Sequence, residues 1–467
     1  MIPDMHSMPQ TAFHLAKLFA VLLALGGCGS LTQTPYSAPQ TTTQTQWQYA
    51  ARDNAQPVDR WWTQFADAQL DALIADVLAR NNDLAAAGIK VRRAWLEAGI
   101  AADGERPTLA ASANSSNTQK EGGERTQTHT SSLNVSYEVD LWGRLASATD
   151  AARWEARATE QDRANTAWAL VATTTRLYWK LAYLNTCLTL AQQNVDYALR
   201  TLVIARARHA AGAVSGLDVI EAEQTLASLQ ATQSTIEQSR VETRNALAIL
   251  LDSPPGIDLP DPQQLFAAPL PEVAAGLPAE LLGRRPDLQA AELRLRSTLA
   301  TGDATRTSYY PAITLTGALG SSSTALASLL SNPVSTLGAG LTLPFLQWNE
   351  MQLSIKVARA DYEIAVIDFR QTLYAAMADI ENALSARTQT ARRSALLRRS
   401  LELSRDAEHR YEVQYRSGAV ALKSWLDAQK TRRDAELALA ENRYDQLDNQ
   451  VTLHQALGGT LPLGDAI

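Results

Sequence analysis

Few side chains in this 467-residue chain have the spacing that chemistry needs. The six histidines (His6, His14, His129, His209, His409 and His454) are scattered, and no His-x-x-x-His, Cys-x-x-Cys, Gly-x-Ser-x-Gly or phosphate-loop pattern occurs. The chain is therefore expected not to be an enzyme. Two cysteines, Cys28 and Cys187, cannot build a disulfide framework. Cys187, between Thr186 and Leu188 in a helical pattern, reads as a packed thiol. Cys28 is the residue with chemistry to do. His14 and Lys17 precede a short apolar run, Leu18 to Leu25, which leads into Gly26-Gly27-Cys28. Such a run is too short to span a bilayer and ends in small residues, as a secretory signal does.

The stretch Leu25-Gly26-Gly27-Cys28 resembles a bacterial lipobox, which implies cleavage before Cys28 and lipidation of its thiol. A new N-terminal Cys offers a nucleophilic sulfur and an amine, and both can carry acyl chains such as palmitate. More than one chain is needed for stable anchoring, at roughly 0.8 kcal/mol per buried CH₂. Residue 29 is Gly rather than Asp, which by the sorting pattern of such lipoproteins favours the outer membrane. Residues 1–27 are thus read as a signal peptide. Residues 28–60, rich in Thr, Gln, Ser and Pro without any period, are read as a lipidated extended tether.

The rest of the chain is a scaffold, and its plan is a repeat. GAVSGLDVIEAEQTL (Gly212 to Leu226) returns as GAVALKSWLDAQKTR (Gly418 to Arg432). Asn82-Asp83-Leu84 returns as Pro286-Asp287-Leu288, and Arg106-Pro107 as Tyr310-Pro311. In each tip a Gly ends one long helical pattern and a second pattern leaves it. Ser215 or Asp218, and Ser424 in the second tip, can cap the departing helix. Two repeats are expected, over 61–252 and 286–457, joined by a Pro-rich linker and equatorial region at 253–285 and followed by a tail at 458–467.

Within each repeat the order reads helix, strand, strand, long helix, tip, helix. Alternation places strands at about 108–117, 132–141, 312–320 and 335–345: Leu133, Val135, Tyr137, Val139 and Leu141 share one face, for example, against Asn134, Ser136, Glu138 and Asp140. Each has about the length that crosses a bilayer when tilted, 9–11 residues. The loops Gln119 to Thr130 and Ser321 to Pro333 read as long and polar. Tyr137, Trp142, Tyr309, Tyr310, Phe345 and Trp348 gather near one end, as an interfacial girdle would. Leucines from Leu170 to Leu202 keep a coiled-coil grid, and similar grids run through the other long helices. No run of about 18 apolar residues exists to form a spanning helix. The net charge of −7 gives no reason to expect nucleic acid. Four strands cannot close a barrel, and open edges are not tolerated in lipid, so spanning strands demand an oligomer.

Trp61-Trp62 with Phe65, the stretch Tyr137-Glu138-Val139-Asp140-Leu141-Trp142-Gly143-Arg144, the two tips and the repeat together resemble the TolC-type outer-membrane factors, specifically the lipidated NodT-like and OprM-like efflux group. The likeness covers nearly the whole mature chain. It implies an α + β membrane protein of two structural repeats, each with a two-stranded barrel hairpin and long coiled-coil helices. Three chains would share a 12-stranded β-barrel that continues into an α-helical periplasmic tunnel, in the outer membrane of a Gram-negative bacterium. It implies the exit duct of a tripartite efflux or secretion system, passively conducting small molecules from an inner-membrane transporter and a periplasmic adaptor protein, with no catalysis, metal or cofactor. It also implies that Ser424 and Asp427 match the two aperture acids, of which only Asp427 keeps the charge, with Asp218 and Glu221 at the equivalent first-repeat positions. Val420 stands where some members have a closing Arg, so a salt-bridge lock is not carried over there. The adaptor would meet the tips at Gly212, Ala213, Val214, Gly418, Ala419 and Val420. Two other readings stay open: a lipid-anchored periplasmic coiled-coil scaffold without a pore, and a channel for type I protein or metal-ion export.

Overall fold

A computed structural model describes residues 32–42, 44–49, 58–119, 121–123, 125–273, 281–331, 333–459 and 461. Cys28 and the signal segment lie outside them. The first half runs from a 3₁₀ turn, Trp61–Phe65, through α1 (Ala68–Arg80), α2 (Asn82–Asp103), β1 (Thr108–Gln119), β2 (Arg125–Val139) and α3 (Arg144–Ala210) to α4 (Gly216–Leu250). After a helical turn at Leu281–Arg284, the second half repeats the plan with α5 (Pro286–Thr307), β3 (Ala312–Ser323), β4 (Val334–Thr342), α6 (Trp348–Arg416) and α7 (Leu422–Leu457). The single opening helix expected in the first half is two. Asn81 is extended, ends α1, and accepts the Asp83 and Leu84 amides to start α2. Pro286 opens α5 at the matching place, where its missing N–H costs nothing.

The four strands form one antiparallel sheet in the order β1-β2-β3-β4. Cross-strand partners share a face. Leu109↔Val135, Leu133↔Leu319, Tyr137↔Leu315, Val139↔Ile313 and Ile313↔Leu341 make one face apolar over the part nearest the helices, and Ser115↔His129, Asn117↔Gln127 and Gln119↔Arg125 continue that face as polar towards the β1-β2 turn. Ser112↔Ser132, Ala110↔Asn134, Ser136↔Thr316 and Thr314↔Gly340 make the other small and polar. Leu109, Leu319, Leu337 and Leu341 on the apolar face are exposed. The outer edges of β1 and β4 have no strand beside them among the described residues.

Several strand boundaries differ from the sequence expectation: β1 runs on to Gln119, β2 stops at Val139 and β3 runs on to Ser323, three residues into the expected loop. β2 begins at Arg125 rather than about 132, and the supposed loop from Gln119 to Thr130 is mostly strand. Its Thr and Ser residues suit a pleated surface, and the chain reverses around Gly122 and Gly123, both at positive φ. β4 ends at Thr342 rather than 345, because Pro344 has no amide to give the ladder and starts a 3₁₀ turn.

The passage from β2 into α3 explains the acidic and basic residues there. Arg144 holds Glu138 through both oxygens, at 2.8 and 2.9 Å from Nη2. Asp140 accepts the Ala146 amide at 2.9 Å, capping α3 from outside the helix. Gly143 makes the turn at φ 67°, and the Trp142 indole donates to the Pro311 carbonyl at 2.9 Å. The last contact ties the first strand pair to the second.

Beyond the sheet, α3 packs on α4, α7 packs on both α3 and α6, and α4 and α6 lie at the two outer sides. At 1.5 Å per residue, the 67 residues of α3 extend about 100 Å. No helix among the described residues is long and apolar enough to cross a membrane. Trp61, Trp62 and Phe65 fill a core with Trp179, Leu247 and Leu447. Trp61 stacks flat on His454, with centroids 4.8 Å apart. Cys187 is buried, as expected.

The linker, described through Val273, has neither helix nor strand and crosses the bundle as a strap. Its carbonyls are taken by arginines: Phe266 by Arg443 at 2.8 Å and Pro271 by Arg387 at 3.1 Å. Asp261 pairs with Arg240 at 2.5 Å and with the Asn185 amide at 2.8 Å. The expected extended tether is in part fixed to the helices. Thr34 bonds both oxygens of Asp303 at 2.6 and 2.7 Å, Tyr36 donates to Glu292, and Trp47 is buried against Leu373 and Ile380. It is extended and lies on α5 and α6, where Trp47 finds an apolar site and Tyr36 meets Glu292 and the Arg296 guanidinium.

Candidate functional site at the hairpin tips

Both tips use one backbone device. After α3, the Gly212 amide donates to the His209 carbonyl (2.9 Å) and the Ala213 amide to the Arg208 carbonyl (2.9 Å). After α6, Gly418 donates to Tyr415 (3.0 Å) and Ala419 to Gln414 (2.8 Å). This double closure is the Schellman arrangement, with Gly212 at φ 73° and Gly418 at φ 83° in the left-handed region that an added side chain would strain. Gly212, Ala213, Gly418 and Ala419 are exposed, while Val214 and Val420 are half-buried.

The departing helices start differently. Ser215 caps α4, its hydroxyl accepting the Leu217 amide at 3.2 Å, with Asp218 in the first turn beside it. In the second tip the cap position is Ala421, and no side chain caps α7. Ser424 is not the cap expected from sequence, because the helix begins two residues earlier, at Leu422. The second helix gains its start from burial instead: Leu422, Trp425 and Tyr415 form a small core with Leu202, Ala205 and Ala222 of the first hairpin. Tyr415 and Trp425 stack with centroids 5.3 Å apart.

One arginine joins the two hairpins. Arg208, in the last turn of α3, donates to the Tyr415 carbonyl and sits over the Tyr415 ring, 4.6 Å from its centroid. Burial raises the pKa of the Tyr415 hydroxyl, the Asp218 carboxylate adds to the rise and Arg208 opposes it. Asp218 therefore lies on the side of α4 that faces the second hairpin. Sequence reading missed this clasp, since an arginine near a helix C-terminus already has a reason to be there. Its signal was a cation one turn before Gly212 and aromatics on both sides of Gly418.

The carboxylates do not form a single cluster within one chain. Asp427 is exposed, with Lys423 of its own helix at 3.5 Å. Ser424 is half-buried one turn before it. Glu221 is half-buried at the α4 position that matches Asp427. Deeper in the bundle, Glu408 holds Arg432, whose Nη1 also reaches Glu436 at 2.5 Å.

The model of the outer membrane efflux protein family matches residues 73–252 and 277–459, one block for each half of the fold. The pyoverdine export outer membrane protein OpmQ of Pseudomonas putida is 34% identical over 425 residues, covering 88% of this chain and 90% of that protein. The toxin and drug export protein A of Aggregatibacter actinomycetemcomitans is 30% identical over 403 residues, 85% of this chain and 88% of that one. Among solved structures, the open state of the Neisseria gonorrhoeae MtrE outer membrane channel superposes with a TM-score of 0.81 at 28% identity, covering 93% of this chain and 99% of that chain.

Proposed function

The chain belongs to the outer membrane efflux protein family, and from that premise we propose that three copies of it form the exit duct of a tripartite efflux system in the outer membrane. The observation that carries the assembly is the sheet. Near the helices it has one apolar face and one polar face, and among the described residues its two edges are open, which suits a wall between lipid and water and cannot stand alone in either. Three copies supply 12 strands, enough to enclose an aqueous lumen lined by Ser, Thr, Asn and Gly. The long helices suit a matching closure. α4 exposes Ile220 and Val241 in one seven-residue register, and α6 exposes Leu396 and Leu403 in another. In the trimer α4 of one copy meets α6 of the next, and the helices make a tunnel below the barrel. The duct makes and breaks no bonds, and the relatives' pyoverdine, toxin and drug export belongs to those proteins.

At the tunnel's end the tips carry two roles in this reading. Asp427, with Ser424 beside it, faces the axis and forms a ring of three carboxylates that favours cations. Asp218 and Glu221 are its weaker first-repeat counterparts. Gly212, Ala213, Val214, Gly418, Ala419 and Val420 admit the helical hairpins of a periplasmic adaptor, which connects the duct to an inner-membrane transporter. Acylated Cys28 anchors each copy.

The mass of the mature protein in mild detergent, with bound detergent subtracted, tests the assembly: a trimer is expected, and a stable monomer overturns it. In planar bilayers, Asp427→Asn should lower cation preference; unchanged selectivity removes Asp427 from the axis. Gly212→Val or Gly418→Val should abolish efflux in cells while trimers persist, and wild-type efflux by either variant refutes the docking role.

A further inference from the structure

Arg433 is the buried cation that neither the duct nor the tips employ. It is 8% exposed, yet among the described residues no acceptor lies within hydrogen-bond or ion-pair distance of its guanidinium. Its neighbours in the sequence differ. Arg432 is held by Glu408 and Glu436, and the half-buried Arg387 and Arg443 each take linker carbonyls. Its stem is packed, but its guanidinium nitrogens are not among the fully buried unpaired atoms, so the charged tip still reaches the solvent of a groove without an ion-pair partner. The charges that surround Arg433 at longer range are Arg432, Asp434, Glu408 and Glu436, and the two glutamates are already engaged by Arg432 and Arg405.

Arg433 lines a groove of about 400 Å³ between α4 and α7, floored by α3. Leu229, Ile236 and Leu437 give the groove an apolar side. Lys430 and Asp434 also border it and neutralise one another at 2.6 Å, which leaves Arg433 as its uncompensated charge. We propose that this groove is a binding site for a small amphipathic monoanion, a carboxylate or sulfonate on an apolar body, with Arg433 receiving the anionic head through its planar fork of donors. The volume suits a molecule of one or two rings.

The test uses the full-length trimer in nanodiscs, with 2-naphthoate as the probe and 2-naphthalenemethanol as its neutral counterpart. Thermal unfolding and equilibrium dialysis are read for the wild type, Arg433→Met and Arg433→Lys. For the wild type, naphthoate should bind at least tenfold tighter than the alcohol and raise Tm. Arg433→Met should lose that preference and should melt no lower than the ligand-free wild type, because it keeps the packed stem and removes a charge that makes no ion pair. Arg433→Lys should keep part of the preference. Equal binding of acid and alcohol overturns the proposal, as does unchanged naphthoate binding by Arg433→Met. A large fall in the Tm of Arg433→Met also overturns it, since that would reveal a structural partner on a neighbouring copy.

Discussion

α4 and α7 occupy the same place in their repeats, each returning from a Gly-ended tip, yet they live in different surroundings. α7 lies between α3 and α6 and buries side chains along its whole length, including the polar Gln429, Asn442, Gln450 and His454. α4 touches mainly α3, and its buried residues are Ala222, Thr243, Leu247 and Ala248. The contrast shows that duplication copied a backbone and that position in the wall then decided the chemistry. An inner helix can hold polar groups because its neighbours take their amide N–H groups: Gln429 donates to Thr201, Asn442 to the Thr390 carbonyl and Gln450 to the Pro271 carbonyl, while the three amide oxygens stay unpaired among the described residues. An outer helix keeps apolar residues uncovered for a contact that one chain cannot make.

The sharpest test puts the same charge at matching points. Val241 on α4 is exposed, and its counterpart Leu447 on α7 is fully buried. Val241→Asp should leave a folded chain that no longer trimerises, read by native mass. Leu447→Asp should prevent folding, since an unpaired interior carboxylate costs several kcal/mol. If Val241→Asp remains trimeric, α4 is not an interface.

At the tips, Trp425→Ala should cost about 3–5 kcal/mol, while Val219→Ala at the equivalent position should cost about 1 kcal/mol. Hydrogen exchange at the two tips would show the second loosening far more than the first. Similar losses would mean that both tips depend equally on the small core.

A pH test comes next. His454 has a folded-state pKa lowered from 6.5 to about 3, chiefly by burial and secondarily by Arg387. Its unfolded form takes up a proton that the folded form refuses. Its contribution is therefore complete above about pH 6.5 and is lost as pH falls towards 3, at about 1.4 kcal/mol per pH unit. The matching α4 residue, Ala248, does not titrate. Urea unfolding between pH 7 and 4 should show this slope, and His454→Gln should reduce it.

The smallest effect concerns the helix starts. Ser215→Ala should lose about 1 kcal/mol, and Ala421→Ser should gain no more than that. A larger loss at Ser215 would mean that its hydroxyl does more than cap.

The repeat, the two Gly-ended tips and the alternation of Leu133, Val135 and Tyr137 were readable in the sequence because each has a local cause: a left-handed turn, a period of two or a heptad. The start of β2 was not, since Thr and Ser serve loops and strands alike until a partner strand is present. The docking of Thr34 and Trp47 onto α5 and α6 was equally hidden, because it depends on residues far along the chain. At the tips, the Gly positions were legible from spacing alone. The clasp from Arg208 to Tyr415 was not, as it joins two hairpins that no short-range pattern connects. The missing cap at Ser424 followed from a helix start set by the burial of Leu422 and Trp425.

Thr32 donates to the Trp142 carbonyl at 2.6 Å, where the sheet meets the helices. It lies four positions after Cys28, a reach of at most about 14 Å for an extended chain. With Cys28 acylated as proposed, that short leash works as a depth gauge. Acyl chains held in the inner leaflet would then keep Trp142 at a set draught and fix the height of each copy against the bilayer.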